Sequence, residues 1–277
     1  MTARVSPASA LRYTTLSVGA LVMITPFLYM VSTSFKGQQY VLKVPPQFIP
    51  DPATLSNYIR VLVAGGFAHY FLNSVLVAGS ATVIAVFLSA MMAYGFARYR
   101  FPGREWLFRL LLLGLMIPAT MLLIPQFILA KYLGLIDSLP GLVVFYVAGN
   151  LALNTFLMRG FFEALPNELD DAMQIDGAND WRRFLNLALP LGRPALATAT
   201  IFTFLATWDE YAWALTSIST PENQTLPIAI ALLEGPKGTQ WGMVFAASVV
   251  AIVPVIAVFL IFQRHFVQGL TAGAVKG

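Results

Sequence analysis

Six stretches of this chain are long and apolar enough to cross a bilayer as helices, and that repetition limits the folds open to it. They lie at about residues 13–34, 70–97, 106–130, 139–159, 195–219 and 242–263. A bilayer core takes roughly 20 apolar residues of helix. Lipid offers backbone groups no partner, so a spanning segment must satisfy its hydrogen bonds within a helix or a closed barrel. Charged residues are 11% of the chain, against about 25% in soluble domains. No polar stretch is long enough to build a separate soluble domain. The expected fold is therefore an all-α membrane protein, a single domain of six transmembrane helices over residues 1–277. The first run, behind Arg4 and Arg12, has the flanks of a signal peptide. It is too long for the roughly 7–15 residues of such a core and lacks an A-x-A site, so it reads as a span.

Six spans put both termini on one face. With the termini in the cytoplasm, twelve of the 17 basic residues fall inside, from Arg4 and Arg12 through Arg98, Arg159 and Arg183 to Lys276. Five fall outside: Lys36, Lys43, Arg60, Lys131 and Lys237. That split follows the positive-inside rule. Cysteine is absent, which excludes disulfides and thiolate chemistry. His69 and His265 stand near opposite faces, so no metal site is expected, and no nucleophile–base pair marks a catalytic centre.

The polar interruption from Glu163 to Pro194 is the informative loop. Six of the 13 acidic residues, Glu163, Glu168, Asp170, Asp171, Asp176 and Asp180, crowd into it. Lipid gives such a cluster nothing, so it lies in water or against protein. Pro166 suits a helix start, with Glu168, Asp170 and Asp171 at the positive end of the dipole. Leu169, Ala172 and Met173 share one small apolar face. Gly177 then stops the helix as a C′ glycine. A second amphipathic piece presents Phe184, Leu187 and Ala188 on one side before Pro190 breaks it. Charge alone leaves two readings open, a solvated loop and a docking knob.

The order of residues favours the knob. Asp171-Ala172-Met173, three residues, Gly177, nine residues and Leu187-x-Leu189-Pro190 resemble the E-A-A-x3-G-x9-I-x-L-P loop of ABC-importer permeases. Asp replaces Glu, Met the second Ala and Leu the Ile. The ending FQRHFVQGLTAGAVKG (262–277), Asn73-Ser74 opening the second span, Trp208-Asp209-Glu210-Tyr211 in the fifth and Thr225-Leu226-Pro227 outside are similar to the same family. Specifically, they resemble the second, six-span permease subunit of maltose-type (type I) carbohydrate importers.

The resemblance implies the type I importer permease architecture and ATP-driven sugar import by alternating access, in a bacterial or archaeal cytoplasmic membrane. The loop 160–194 would be a coupling element seated in an ATPase subunit through Glu168, Asp171, Ala172, Met173, Asp176, Gly177, Leu189 and Pro190. The chain has no G-x4-G-K-[ST] phosphate loop, so ATP and magnesium would be bound by that partner; no cofactor is expected in this chain. Further implied partners are a second permease, making a heterodimer, a pair of ATP-binding subunits and an extracytoplasmic sugar-binding protein; no nucleic-acid partner is expected. The tip Glu234-Gly235-Pro236-Lys237 would meet the binding protein, and the tail 264–277 would reach the ATPase interface or fray. Asn73, Asn150, Trp208, Asp209, Glu210 and Tyr211 are candidates for the translocation path, because charges inside spans are costly and mark pathways. Trp213 and Tyr211 also suit an interfacial aromatic belt, and Asn150 and Asn154 suit interhelical hydrogen bonding. Pro118 and Pro125 predict kinks in the third span. The alternative function is proton-coupled secondary transport through the Asp209-Glu210 pair, against which stands the lack of an inverted repeat.

Overall fold

The computed structural model describes residues 7–64, 66–235 and 238–274. Its helices in chain order are α1 (Pro7–Ser34), α2 (Gln38–Val41), α3 (Ser56–Ile59), α4 (Phe67–Arg98), α5 (Arg104–Leu113), α6 (Leu123–Tyr132) and α7 (Leu139–Glu163). They continue with α8 (Asn167–Ile175), α9 (Asp180–Arg183), α10 (Leu189–Leu191), α11 (Arg193–Trp208), α12 (Ala212–Ser217), α13 (Leu226–Ala231) and α14 (Trp241–Ala274). One two-residue hairpin, β1 (Glu234–Gly235) with β2 (Gly238–Thr239), is antiparallel. The stretches Ser9–Ser34, Phe67–Arg98, Leu139–Glu163 and Trp241–His265 are each long and apolar enough to cross a membrane as one helix.

The third and fifth expected spans are broken. The piece Arg104–Met116 meets Ala119–Tyr132 at 94°. Pro118 causes this break: it denies the helix a donor and pushes Ile117 into extended backbone, ψ 118°. Pro125 falls in the first turn of α6, where proline is tolerated, so only one of the two expected kinks forms. In the fifth span α11 stops at Trp208 and α12 restarts at Ala212.

The chain divides into two compact units. The first holds residues 1–68 and 229–252. Its polar centre is Lys36, 1% exposed. The Lys36 ammonium donates to Thr33 Oγ1 (3.1 Å) and to the Gln47 carbonyl, and lies 4.5 Å from the centre of the Tyr29 ring. Burial lowers the Lys36 pKa. Asn57 Nδ2 donates to the Ser34 and Lys36 carbonyls, both at 2.8 Å. A side chain on Gly242 would stand 2.7 Å from that amide, which explains the glycine.

The second unit holds residues 69–228 and 253–277. One core cluster joins Val77, Ala81 and Ala85 of α4 to Leu142, Phe145 and Tyr146 of α7, with Trp213, Ala214 and Ile228. Leu226 and Ile228 of α13 are 1% and 2% exposed, so this short apolar segment packs inside protein. A second cluster joins Ala90, Ala93 and Tyr94 to Met158, Phe162, Phe184, Ala188 and Ala199. Four alanines of α4, at 81, 85, 90 and 93, are wholly buried. Ala81 and Ala85 pack in the first cluster, and Ala90 and Ala93, on another side of the helix, in the second; such small residues let neighbouring helices approach closely, the packing mode that substitutes for a hydrophobic drive in lipid.

Candidate functional site

The loop between α7 and α11 folds as a short helix, a glycine stop and a second helical piece. Gly177 has φ +78°, the left-handed conformation that glycine takes without penalty. Gly177 N–H donates to the Gln174 carbonyl (3.0 Å) and Ala178 N–H to the Met173 carbonyl (2.9 Å). Together these make a complete Schellman cap. Asn179 opens the next piece, its Oδ1 accepting from Arg182 N–H at 2.9 Å. That piece runs through a π-helical stretch, Phe184–Ala188, with Phe184 and Ala188 buried in the second core cluster. Leu189 packs beside it and Pro190 is exposed.

Helix α8 turns most of itself outward. Glu168, Asp171, Ala172, Asp176 and Gly177 are exposed and Met173 is half-buried; Leu169 is 40% and Ile175 87% exposed. The one buried residue of α8 is Asp170. Its Oδ2 lies 3.1 Å from Arg98 Nε, and its Oδ1 accepts from the Tyr94 hydroxyl at 3.1 Å. Arg98 also donates to Asn167 Oδ1 (2.5 Å) and to the Leu165 carbonyl (3.0 Å). A polar cavity of about 540 Å³ adjoins this cluster, lined by Arg98, Arg100, Arg104, Asp171 and Arg183 among others. The motif singles out Asp171; the structure adds Asp170, Arg98, Tyr94 and Asn167 around it.

The residues expected along the pathway differ in burial and partners. Asp209 and Tyr211 are exposed at the break between α11 and α12. Glu210 is turned into protein: Oε1 accepts from Trp213 N–H (2.7 Å), and Oε2 accepts from Ala214 N–H (3.0 Å) and the Tyr146 hydroxyl (2.7 Å). This carboxylate caps α12 where the helix restarts. Trp208 is 3% exposed, stacked 5.4 Å from Phe204 and edge-on to Phe71. Trp213, expected in an aromatic belt, is 4% exposed and lies against Phe145 instead. Asn154 donates across helices to Thr203 Oγ1 at 2.8 Å, whereas Asn150 bonds back to Tyr146 O in its own helix.

Asn73 is buried at the start of α4 and donates to the carbonyls of Glu222 (2.8 Å) and Gln224 (2.9 Å). His69 Nε2 donates to the same Glu222 carbonyl at 2.6 Å, and Ser74 Oγ accepts from Leu226 N–H at 2.7 Å. From the other side Asp137 accepts from the Thr220 hydroxyl and from the N–H groups of Thr220 and Ser219, both at 2.9 Å. Those bonds, the Thr220 hydroxyl foremost, hold the Asp137 carboxyl below its usual pKa. Residues 218–226 are thus pinned on two sides. Glu234 and Gly235 form the first strand of the hairpin, while Pro236 and Lys237 lie outside the described residues, as does the end of the tail at 275–277.

A polytopic helical protein with an outward-turned acidic helix between two spans is the layout of a transport permease. The chain belongs to the family described as "Binding-protein-dependent transport system inner membrane component", whose model matches residues 85–272. It is thus a multi-pass inner-membrane permease subunit. It is 36% identical over 262 residues to the trehalose/maltose transport system permease protein MalG of Thermococcus litoralis, covering 93% of each chain. It is 33% identical over 270 residues to the diacetylchitobiose uptake system permease protein NgcG of Streptomyces coelicolor, covering 97% of this chain and 89% of that one. Its fold is similar to a chain in the crystal structure of a bacterial ABC transporter that imports the acidic polysaccharide alginate. There the TM-score is 0.81 and the identity 26%, over 93% of this chain and 95% of that chain. This likeness gives the fold as a type I ABC-importer permease and sets aside the proton-coupled alternative.

Proposed function

We propose that this chain is the permease subunit of an ATP-driven importer of sugars or sugar-like solutes, non-catalytic itself and driven through α8 by a partner ATPase. The observation that carries this reading is the exposure of α8. Its acidic and small residues Glu168, Asp171, Ala172 and Asp176 face outward from a helix that a Schellman cap and one buried carboxylate hold in place. A surface helix with apolar side chains left exposed at Leu169 and Ile175 fits a groove in a second protein. Sugar-uptake relatives support the solute class, and the neighbour solved with a periplasmic protein carrying an alginate pentasaccharide supports delivery by a binding protein. Two ATP-binding subunits and a second permease complete the assembly. Closing the ATPases would draw two such helices together and switch the permease pair between inward- and outward-facing states, a rigid-body transition.

For the pathway, the exposed Asp209 and Tyr211 at the break in the fifth span are the candidates we retain. A carboxylate that accepts sugar hydroxyls beside an aromatic face suits a weak carbohydrate contact. Glu234 and Gly235 support a hairpin tip directed at the binding protein. The test is ATPase activity of the co-purified complex, with candidate binding proteins and their sugars added, in wild-type, Asp171→Lys and Gly177→Asp forms. Loss of ligand-stimulated hydrolysis in an assembled complex is the expected result. Unchanged stimulation would return α8 to a solvated loop.

A further inference from the structure

Helix α4 carries a polar clamp at each end, and the two clamps hold different functional segments. At its last residue, Arg98 gathers Asp170, Asn167 and the Leu165 carbonyl, so that α8 and its approach rest on a single guanidinium. One turn back, Tyr94 holds the other oxygen of Asp170. At the opposite end Asn73 and His69 hold the Glu222 and Gln224 carbonyls, and Ser74 accepts from Leu226 N–H. Between the clamps the helix is continuous and contains no proline. Its 32 residues at about 1.5 Å each make a rod of about 48 Å, longer than the bilayer core. Its middle is locked by the wholly buried alanines at 81, 85, 90 and 93.

The chemistry of the clamps is telling. Asp170 is the only buried residue of α8, and a buried ion pair adds little net stability compared with an apolar contact of the same size. What this cluster does add is direction: the guanidinium meets the Asp170 carboxylate through Nε alone, while its two terminal nitrogens donate to Asn167 Oδ1 and the Leu165 carbonyl, so one planar group fixes three points on and before α8. Asn73 likewise fixes loop 222–226 through main-chain carbonyls, which keeps the loop's position whatever its side chains. A helix attached by apolar packing could slide; one attached by these bonds must move with what it holds.

We propose that α4 is the transmission rod of this permease, linking the coupling helix through Arg98–Asp170–Tyr94 to the outer loop 220–226 through Asn73 and Ser74. The inference rests on α8 being the ATPase-facing helix, and it makes Arg98, Asp170 and Asn73 positioning residues. Because both clamps act in series on one rod, breaking either should interrupt the same signal.

The experiment uses the complete reconstituted transporter with its liganded binding protein, comparing Asp170→Asn, Asn73→Ala and the double variant. Two readouts are taken, stimulation of ATP hydrolysis and ATP consumed per solute imported. Each single variant should lower stimulation about fivefold or more and raise the ATP cost per solute, with apparent affinity for the binding protein little changed. The double variant should match the worse single variant. Wild-type stimulation in either single variant, or losses that multiply in the double, overturns the proposal. Where either variant fails to assemble, Tyr94→Phe with Ser74→Ala, which remove one hydroxyl each, decide by the same criteria. Asp171→Lys run alongside separates the two failures. If it too leaves stimulation intact, the coupling reading of α8 falls; if it abolishes stimulation while the clamp variants do not, only the rod does.

Discussion

At the scale of single residues Asp137 stands out, with a backbone φ of +56° that is unusual for a residue other than glycine. Its carboxylate takes the hydroxyl of Thr220 and the N–H groups of Ser219 and Thr220, and these bonds lower its pKa. A depressed carboxyl pKa contributes stability that is full above the unfolded value near 4 and is lost as pH falls through the lower, folded value. Loop 218–224 should therefore exchange its amide hydrogens faster as pH drops below about 4, after correction for intrinsic rates. Asp137→Asn should show fast exchange already at neutral pH and a flatter pH dependence. Asn154 makes a second case. It donates to Thr203 Oγ1 in a buried site, and such interhelical bonds in membrane proteins contribute about 0.6–1.7 kcal/mol. Asn154→Ala should lower thermal stability in detergent by that order, and Thr203→Val combined with it should add little.

Elements were legible in the sequence to different depths. Hydropathy located the four spans that form as single helices, Ser9–Ser34, Phe67–Arg98, Leu139–Glu163 and Trp241–His265, because a run of about 20 apolar residues needs no tertiary information. The glycine stop of α8 was legible too, since Gly177 follows an amphipathic turn. The breaks were not. Pro118 announces an interruption but not its 94° angle, which depends on the backbone at Ile117. Beyond the break in the fifth span Glu210 caps α12, and reading its role needs Tyr146, 64 residues away in the chain. Asp170 was hidden for the same reason: its partner Tyr94 is 76 residues away, whereas the motif spacing marks its neighbour Asp171. Two outcomes follow at this scale. Gly177→Ala meets no steric obstacle, so its penalty is the left-handed backbone alone, about 1–2 kcal/mol; faster amide exchange at the end of α8 would register it. Glu210→Ala orphans the Tyr146 hydroxyl and two α12 N–H groups, costing about 1–3 kcal/mol. Glu210→Gln keeps one acceptor and should recover part of the melting temperature.

For the whole molecule the open quantity is orientation, and the chain offers a clean way to measure it. Twelve of 17 basic residues lie on the face assigned to the cytoplasm, among them Arg98 and Arg183 beside α8. The positive-inside bias acts through such short loops close to the span ends. The same assignment puts loop 218–226 outside, where Asp137 and Asn73 pin it. Since cysteine is absent, single cysteines can be introduced without removing any. Gln174 on α8 and Glu222 on the outer loop both have exposed side chains. Glu222→Cys should react with a membrane-impermeant maleimide in intact cells. Gln174→Cys should react only after the membrane is permeabilised, and more slowly when the ATPase is bound. The opposite pattern would invert the topology, and with it the assignment of α8 to energy input and of loop 218–226 to solute delivery. A chain in which both positions label from one side would contradict α4 as a single spanning rod, since these two sites are held at its two ends.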